Sequence, residues 1–127
     1  MRAVASSGIF RGGSPRRLLL LAVLLPAPAA AEVPPWQVAG SLGMMQFVVV
    51  SEARARERAV YDEAIASLCR STCFLRFFTN STNAPLSVPL PDAILSEPAA
   101  MYQRSAKQGN EIFQWSCRLG IPGGNCF

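Results

Sequence analysis

The apolar and polar positions divide the chain into a short leader and a longer patterned region. The leader contains an unbroken apolar run over residues 18–25, which follows several arginines and precedes a Pro/Ala segment over residues 26–31. Basic, apolar and small-residue parts in this order are typical of a secretory signal peptide. We therefore predict that residues 1–31 are a signal peptide, cleaved after Ala31, and that residues 32–127 form a single small globular domain.

The apolar run of the leader is too short to remain as a membrane anchor. A membrane-spanning helix needs about 20 apolar residues, whereas this run ends at residue 25 and is followed by Pro26 and Pro28. The pattern predicts an exported protein, periplasmic or extracellular, with no stable membrane anchor after signal cleavage.

The next apolar segment, residues 43–50, ends in a Phe-Val-Val-Val run. Such a β-branched and aromatic run is typical of a buried strand, and we predict the first strand here. A continuous apolar helix over residues 36–50 is the alternative, which Gly40 and Gly43 disfavour. The pattern leaves open whether this segment is a strand or a helix.

Residues 51–70 have apolar positions every three or four residues, as expected of an amphipathic helix. Ser51 is of a type favoured at the N-cap, and Ser71-Thr72 follows the periodic segment. The apolar stripe consists of Val60, Tyr61, Ala64, Ile65 and Leu68. We predict one helix from Ser51 to about Arg70.

Three further elements follow the predicted helix. Residues 73–79 are aromatic and nearly all apolar, which predicts a central second strand, and residues 111–117 alternate as in a strand with one wetter face. Between these strands, Ser96 and Pro98 resemble a helix start, which predicts a second helix over residues 96–107.

The predicted order of elements is therefore β-α-β-α-β. This order indicates an α+β or small α/β fold, with a sheet of roughly three strands and two helices packed on it. The element string leaves open whether the strands are parallel.

The cysteines indicate that the fold is stabilised by disulfides. The chain has four cysteines, Cys69, Cys73, Cys117 and Cys126, and an even number in an exported domain predicts two disulfides. Their spacings match neither a thioredoxin-like redox motif nor a doubled zinc-binding motif. Three connectivities are possible, and we favour local pairing, Cys69 with Cys73 and Cys117 with Cys126.

The charge balance changes once the leader is removed. The whole chain carries a formal charge of +4, but four of its 12 basic residues and none of its 8 acidic residues lie in the leader. Residues 32–127 therefore have equal numbers of basic and acidic side chains. This balance argues against nucleic acid as a partner.

The chain contains no histidine. Its composition therefore excludes Ser-His-Asp and Cys-His catalytic sites and histidine-based zinc sites. An enzyme of the cell envelope that uses thiols or paired carboxylates is the alternative hypothesis. No cofactor or metal site is predicted.

The favoured hypothesis is a non-enzymatic binding or interaction module. Residues 80–91 are rich in Asn, Ser and Pro and form a long loop, and such loops on a rigid scaffold often carry recognition. The partner would be an unknown protein or another component of the envelope. The predicted contact residues are Asn80, Ser81, Asn83, Leu86 and Leu90.

Overall fold

A five-stranded mixed sheet is the centre of the fold. The computed structural model describes residues 34–127, so the predicted signal peptide lies outside the described residues. The strands are adjacent in the sheet in chain order. They are β1 (Trp36–Leu42), β2 (Met45–Val50), β3 (Cys73–Phe78), β4 (Pro98–Ser105) and β5 (Asn110–Trp115).

The predicted three-stranded sheet with two packed helices is wrong. Of the two α-helices in residues 34–127, α1 (Arg58–Leu68) is long enough to cover a sheet, whereas α2 (Asp92–Leu95) is a single turn. Helix α1 connects β2 to β3, which are parallel, and the other neighbouring strands are antiparallel. The fold is thus one βαβ unit, with β1 beside β2 on one side and the β4–β5 hairpin beside β3 on the other.

Strands β1 and β2 form a hairpin, so the alternative of one apolar helix over residues 36–50 is wrong. Gly43 begins the two-residue turn with a φ of +62°, a conformation that glycine adopts without strain. Strand β1 was not predicted. The predicted first strand corresponds to β2, and a β-bulge between Val38 and Gly40 interrupts the pairing of the two strands.

The helix predicted over residues 51–70 is divided in the structure. A 3-10 turn, Glu52–Arg54, follows β2, and α1 begins only at Arg58. Between them, Ala55 is buried and its carbonyl oxygen accepts a hydrogen bond from the Tyr61 hydroxyl. This bond satisfies a backbone group that a continuous helix would have paired with an amide.

The second helix, predicted over residues 96–107, is wrong because most of this segment is β4. Pro98 occupies the first strand position, where a missing N–H is tolerated. The segment lies between β3 and β5 and pairs with both. This pairing on two sides outweighs the helix preference of its Ala-rich sequence.

Helix α1 covers one side of the sheet, here called the helix face. Tyr61 lies at the centre of its core, with its ring 4.9 Å from the Phe77 ring and 5.0 Å from the Trp115 ring, both edge-to-face. Val48, Val50 and Leu75 are buried in the same core. Aromatic pairs of this geometry stabilise a core beyond the area that they bury.

The opposite side of the sheet carries a second, smaller core. Val49 and Phe78 of the sheet are covered there by Leu90 and Ile94, which belong to the segment between β3 and β4. Val88 of this segment approaches β1 so closely that a Cβ at Gly40 would lie 2.4 Å from its Cγ2 atom. Gly40 is therefore the residue that allows the segment to reach β1.

The prediction of two disulfides is confirmed. Cys69 bonds to Cys73 and joins the end of α1 to the start of β3, while Cys117 bonds to Cys126 near the C-terminus. Both bridges close short loops, and the chain-entropy model assigns about 2–3 kcal/mol to each. Two disulfides in a small domain are consistent with an oxidising, non-cytoplasmic compartment.

The Cys117–Cys126 bridge also holds the C-terminal residue against the outer strand. The Phe127 N–H donates to the Trp115 carbonyl at 3.1 Å, and the Cys117 N–H donates to the Phe127 carbonyl at 2.9 Å. Phe127 thereby covers one end of the free edge of β5.

No helix in residues 34–127 has the length and hydrophobicity to cross a membrane.

Candidate functional site

The predicted contact loop begins at Asn80, directly after β3. The Asn80 side chain makes two hydrogen bonds to the Ala84 backbone. Its Nδ2 donates to the Ala84 carbonyl at 2.8 Å, and its Oδ1 accepts from the Ala84 N–H at 2.9 Å. Within this turn, Asn83 has a φ of +56°. Asn80 therefore shapes the loop, and Asn83 presents its side chain at the exposed tip.

Leu86 and Leu90, two of the five predicted contact residues, point inward. Leu90 is only 8% exposed and packs with Val49 and Phe78, and Leu86 is partly buried against the same cluster. These leucines anchor the loop on the sheet. The exposed residues of the loop are mostly polar: they are Ser81, Thr82, Asn83, Pro85, Ser87 and Pro89.

Glu97 fixes the base of the loop. Its carboxylate accepts hydrogen bonds from the Thr79 hydroxyl at 2.7 Å, from the Ser81 N–H at 3.0 Å and from the Ser81 hydroxyl. Arg118 Nη2 donates to the Thr79 hydroxyl oxygen at 3.0 Å. The hydrogen bond from the Ser81 side chain is the main cause that lowers the pKa of Glu97, and the Thr79 hydroxyl adds to it.

A cavity of about 280 Å³ lies where the loop meets the end of β2. We call it the loop-end cavity. Ser51 and Glu52 follow β2, whereas Asn80 and Asn83 follow β3. Because β2 and β3 are parallel, their carboxyl ends meet at one edge of the sheet, which is where open α/β sheets bind ligands. The cavity is lined by Gln37, Val50, Ser51, Glu52, Asn83 and Leu86, among others.

The loop-end cavity combines an apolar floor with polar walls. Ser51 makes no side-chain capping bond to the following 3-10 turn, contrary to its predicted role as an N-cap. Glu52 is the charged residue of the cavity lining. A carboxylate beside hydroxyl and amide groups favours a ligand that donates hydrogen bonds or carries a positive charge.

Three residues of this site, Asn80, Asn83 and Leu86, were among the predicted contact residues. Its other polar residues, Gln37, Ser51 and Glu52, were not. Ser51 and Glu52 had been assigned to a helix, and Gln37 lies in the strand that was not predicted. The available signal was the position of Ser51 and Glu52 directly after a buried strand. This position indicates a site only when β2 and β3 are known to be parallel, because their carboxyl ends then lie at the same edge of the sheet.

A second polar cavity, of about 420 Å³, lies between α1 and β5. Its charged groups already bind other protein groups. Arg58 Nε donates to Asp62 at 3.0 Å, and its guanidinium lies 3.7 Å from the centre of the Phe113 ring. Arg104 donates to the Ser71 and Cys69 carbonyls at 2.9 and 3.0 Å. This network holds α1 and the α1–β3 connection on the sheet.

All four cysteines are in disulfides, so the chain has no free thiol for the catalysis that the alternative hypothesis considered. Several carboxylates bind separate partners: Glu57 binds Arg54, Asp62 binds Arg58, and Glu111 accepts from the Tyr102 hydroxyl. The pKa of Tyr102 is raised. Burial is the largest cause, and this hydrogen bond to Glu111 is the second.

Comparisons with protein-family models, with curated proteins and with solved structures give no match for this chain.

Proposed function

We propose that this protein is an exported, disulfide-stabilised binding module without enzymatic activity, and that its ligand site is the loop-end cavity. The observation that carries the proposal is the cavity itself, at the carboxyl ends of two parallel strands. The leader pattern and the two disulfides support an oxidising compartment outside the cytoplasm.

The wall of the cavity is preorganised. Leu90 packs the loop onto the sheet, the Asn80 side chain closes its first turn, and Glu97 ties Ser81 to the start of β4. A ligand that contacts Asn83 therefore meets a surface that is already ordered. Binding to an ordered loop loses less conformational entropy than binding to a flexible one.

The size and charge of the cavity indicate the class of ligand. At about 280 Å³, the cavity is at the lower limit for small-molecule sites, which begin at about 300 Å³. It accommodates one side chain or one small polar group. Because Glu52 supplies the charge, we propose a basic group, such as a Lys or Arg side chain on an envelope protein or a small amine.

The test is a titration of the isotope-labelled, oxidised protein with amine and guanidinium fragments, followed by NMR. We expect the amide signals of Ser51, Glu52 and Asn83 to shift, because these residues line the cavity. Glu52→Gln should weaken binding by about tenfold, because it removes the charge opposite the cation. Asn83→Gly should also weaken binding while keeping the loop backbone, since glycine tolerates a positive φ.

Asp92→Asn is the matched control, because it removes an exposed carboxylate of α2, outside the cavity lining. It should bind the fragments as the parent protein does. Fragments that shift signals elsewhere, or that bind Glu52→Gln unchanged, would refute the loop-end cavity as the ligand site.

A further inference from the structure

The segment between β3 and β4 covers only one end of its side of the sheet. Leu90 and Ile94 lie over Val49 and Phe78, near the carboxyl ends of the parallel strands. Ala39 and Phe47 are the other sheet residues in this smaller core. The core does not extend to the residues at the amino ends of β2 and β3. We call this part of the sheet, which the segment between β3 and β4 leaves uncovered, the open face.

Strand register aligns the side chains of the open face into two rows, because paired residues point to the same side of a sheet. The outer row crosses all five strands and consists of Leu42, Met45, Phe74, Gln103 and Ile112. The inner row includes Arg76, Met101 and Gln114. Four of the five side chains in the outer row are apolar.

The outer row is exposed at both ends. Leu42 is 67% exposed and Ile112 is 47% exposed, while Met45 and Phe74 between them are half-buried. With strands about 4.8 Å apart, the row is about 19 Å long. Such a row is smaller than the apolar patches that by themselves mark an interaction surface, and the charged residue beside it supplies the further evidence.

Arg76 is the charged residue within these two rows. It is half-buried, with Phe47 and Met101 as its neighbours on the adjacent strands. Within residues 34–127, its guanidinium forms no ion pair and no side-chain hydrogen bond. Arg104 and Arg118, by contrast, each bind backbone carbonyl groups. A guanidinium in apolar surroundings favours a carboxylate partner.

We propose that the open face docks a short segment of another protein that carries apolar side chains and a carboxylate facing Arg76. The apolar residues of the segment would cover Phe74, Met101 and Ile112. This interaction surface is additional to the loop-end cavity, which lies at the opposite end of β2 and β3.

Charge distinguishes this partner from a second copy of the chain. In a two-fold contact centred on these rows, Arg76 would lie close to Arg76 of the other copy, because it belongs to the central strand. Like charges brought together in an apolar contact oppose association. The two rows also cover only about 200–300 Å², far below the ~800 Å² per partner of a standard stable interface. A transient complex with a short acidic and apolar segment fits both observations.

The test selects peptides from a random display library against the oxidised chain and measures their affinities by fluorescence anisotropy. We expect selected peptides to combine apolar side chains with Asp or Glu. Arg76→Glu should weaken them by about tenfold or more, because two like charges then face each other. Replacement of the acidic peptide residue by Lys should restore binding to this variant.

Two controls and one further variant accompany the measurement. Arg54→Glu makes the same charge change in the 3-10 turn after β2, outside the open face, and should leave the affinities unchanged. Glu52→Gln should also have no effect, which separates this proposal from that for the loop-end cavity. Arg76→Gln serves as a second variant if Arg76→Glu fails to fold, and it should weaken binding less.

Several results would overturn the proposal. They are a selection that yields no binder, peptides without enriched acidic residues, and peptides that bind Arg76→Glu as tightly as the parent protein. A dimer in sedimentation equilibrium that Ile112→Asp dissociates would assign the open face to a second copy. Binding to anionic lipid vesicles that Arg76→Glu abolishes would assign it to a membrane surface instead.

Discussion

The two sides of the sheet are covered by different means. On the helix face, α1 packs on the sheet and buries Val60, Tyr61 and Ala64 against the strands. On the other side, an irregular segment covers one end of the sheet with Leu90 and Ile94, and the remainder is the open face. The regular side supplies most of the core, whereas both proposed interaction surfaces depend on the irregular side.

This difference has a physical cause. A helix of 11 residues presents a continuous apolar stripe, which covers several strands at once. An irregular segment must satisfy its own backbone groups locally, as Asn80 does for Ala84, and so it covers less area for each residue used. Partial cover leaves concave and apolar surfaces that are available to partners.

The largest effect is expected from a substitution in the core of the helix face. Phe77→Ala should lower the free energy of unfolding by about 3–5 kcal/mol, because Phe77 is fully buried and its ring packs edge-to-face on Tyr61. Urea denaturation followed by far-UV circular dichroism measures this change.

Ile94→Ala provides the contrasting variant on the other side of the sheet. Ile94 is equally buried, but it belongs to the segment between β3 and β4. Hydrogen exchange should accelerate in residues 79–97 and remain slow in α1, because the segment opens locally before the domain unfolds. Equal acceleration in both regions would contradict the distinction between the two sides.

An intermediate effect is expected where the irregular segment meets β1. Gly40→Ala should destabilise the domain by about 1–3 kcal/mol, since the new methyl group would overlap the Val88 side chain. Val88→Ala in the same chain should recover most of this loss. A double-mutant cycle in urea measures the coupling, and additive effects would show that Val88 does not limit the size of residue 40.

The smallest effect is expected from the titration of Glu97. Its pKa in the folded state is lowered below the ordinary value of 4.5, mainly by the Ser81 hydroxyl. The unfolded chain therefore binds the proton more readily, and the stabilisation present above about pH 4.5 is lost as the pH falls through the lowered pKa. Glu97→Gln should lose stability at pH 7 and show a flatter decline below pH 4.5.

Urea midpoints at several pH values measure this dependence, and Asp92→Asn is again the control. If Glu97→Gln retains the acid sensitivity of the parent protein, the network at the base of the loop does not contribute to it.

The elements that were predicted correctly are those whose own pattern is strong. Strands β2 and β3 contain runs of β-branched and aromatic residues, β5 alternates, and α1 repeats every three or four residues. These patterns reflect burial on one or both sides of a single element, so they are readable from adjacent residues.

The elements that were missed depend on their neighbours in space. Strand β4 has an Ala-rich start with high helix propensity, and it is a strand because β3 and β5 pair with both of its edges. Strand β1 contains Gly40 and a β-bulge, which interrupt the alternation that would have revealed it. The loop-end cavity and the open face follow from strand direction and register, which a local pattern does not contain.

Two features at the margins of the sheet hinder edge-to-edge pairing with another molecule. The β-bulge at Val38 and Gly40 distorts the ladder of β1, and Phe127 occupies the end of β5 where another chain would otherwise pair. The position of Phe127 depends on the Cys117–Cys126 bond, which tethers the last residues. Reduction of this bond would release them and lengthen the unpaired edge of β5, and we expect the reduced chain to associate more readily through that edge.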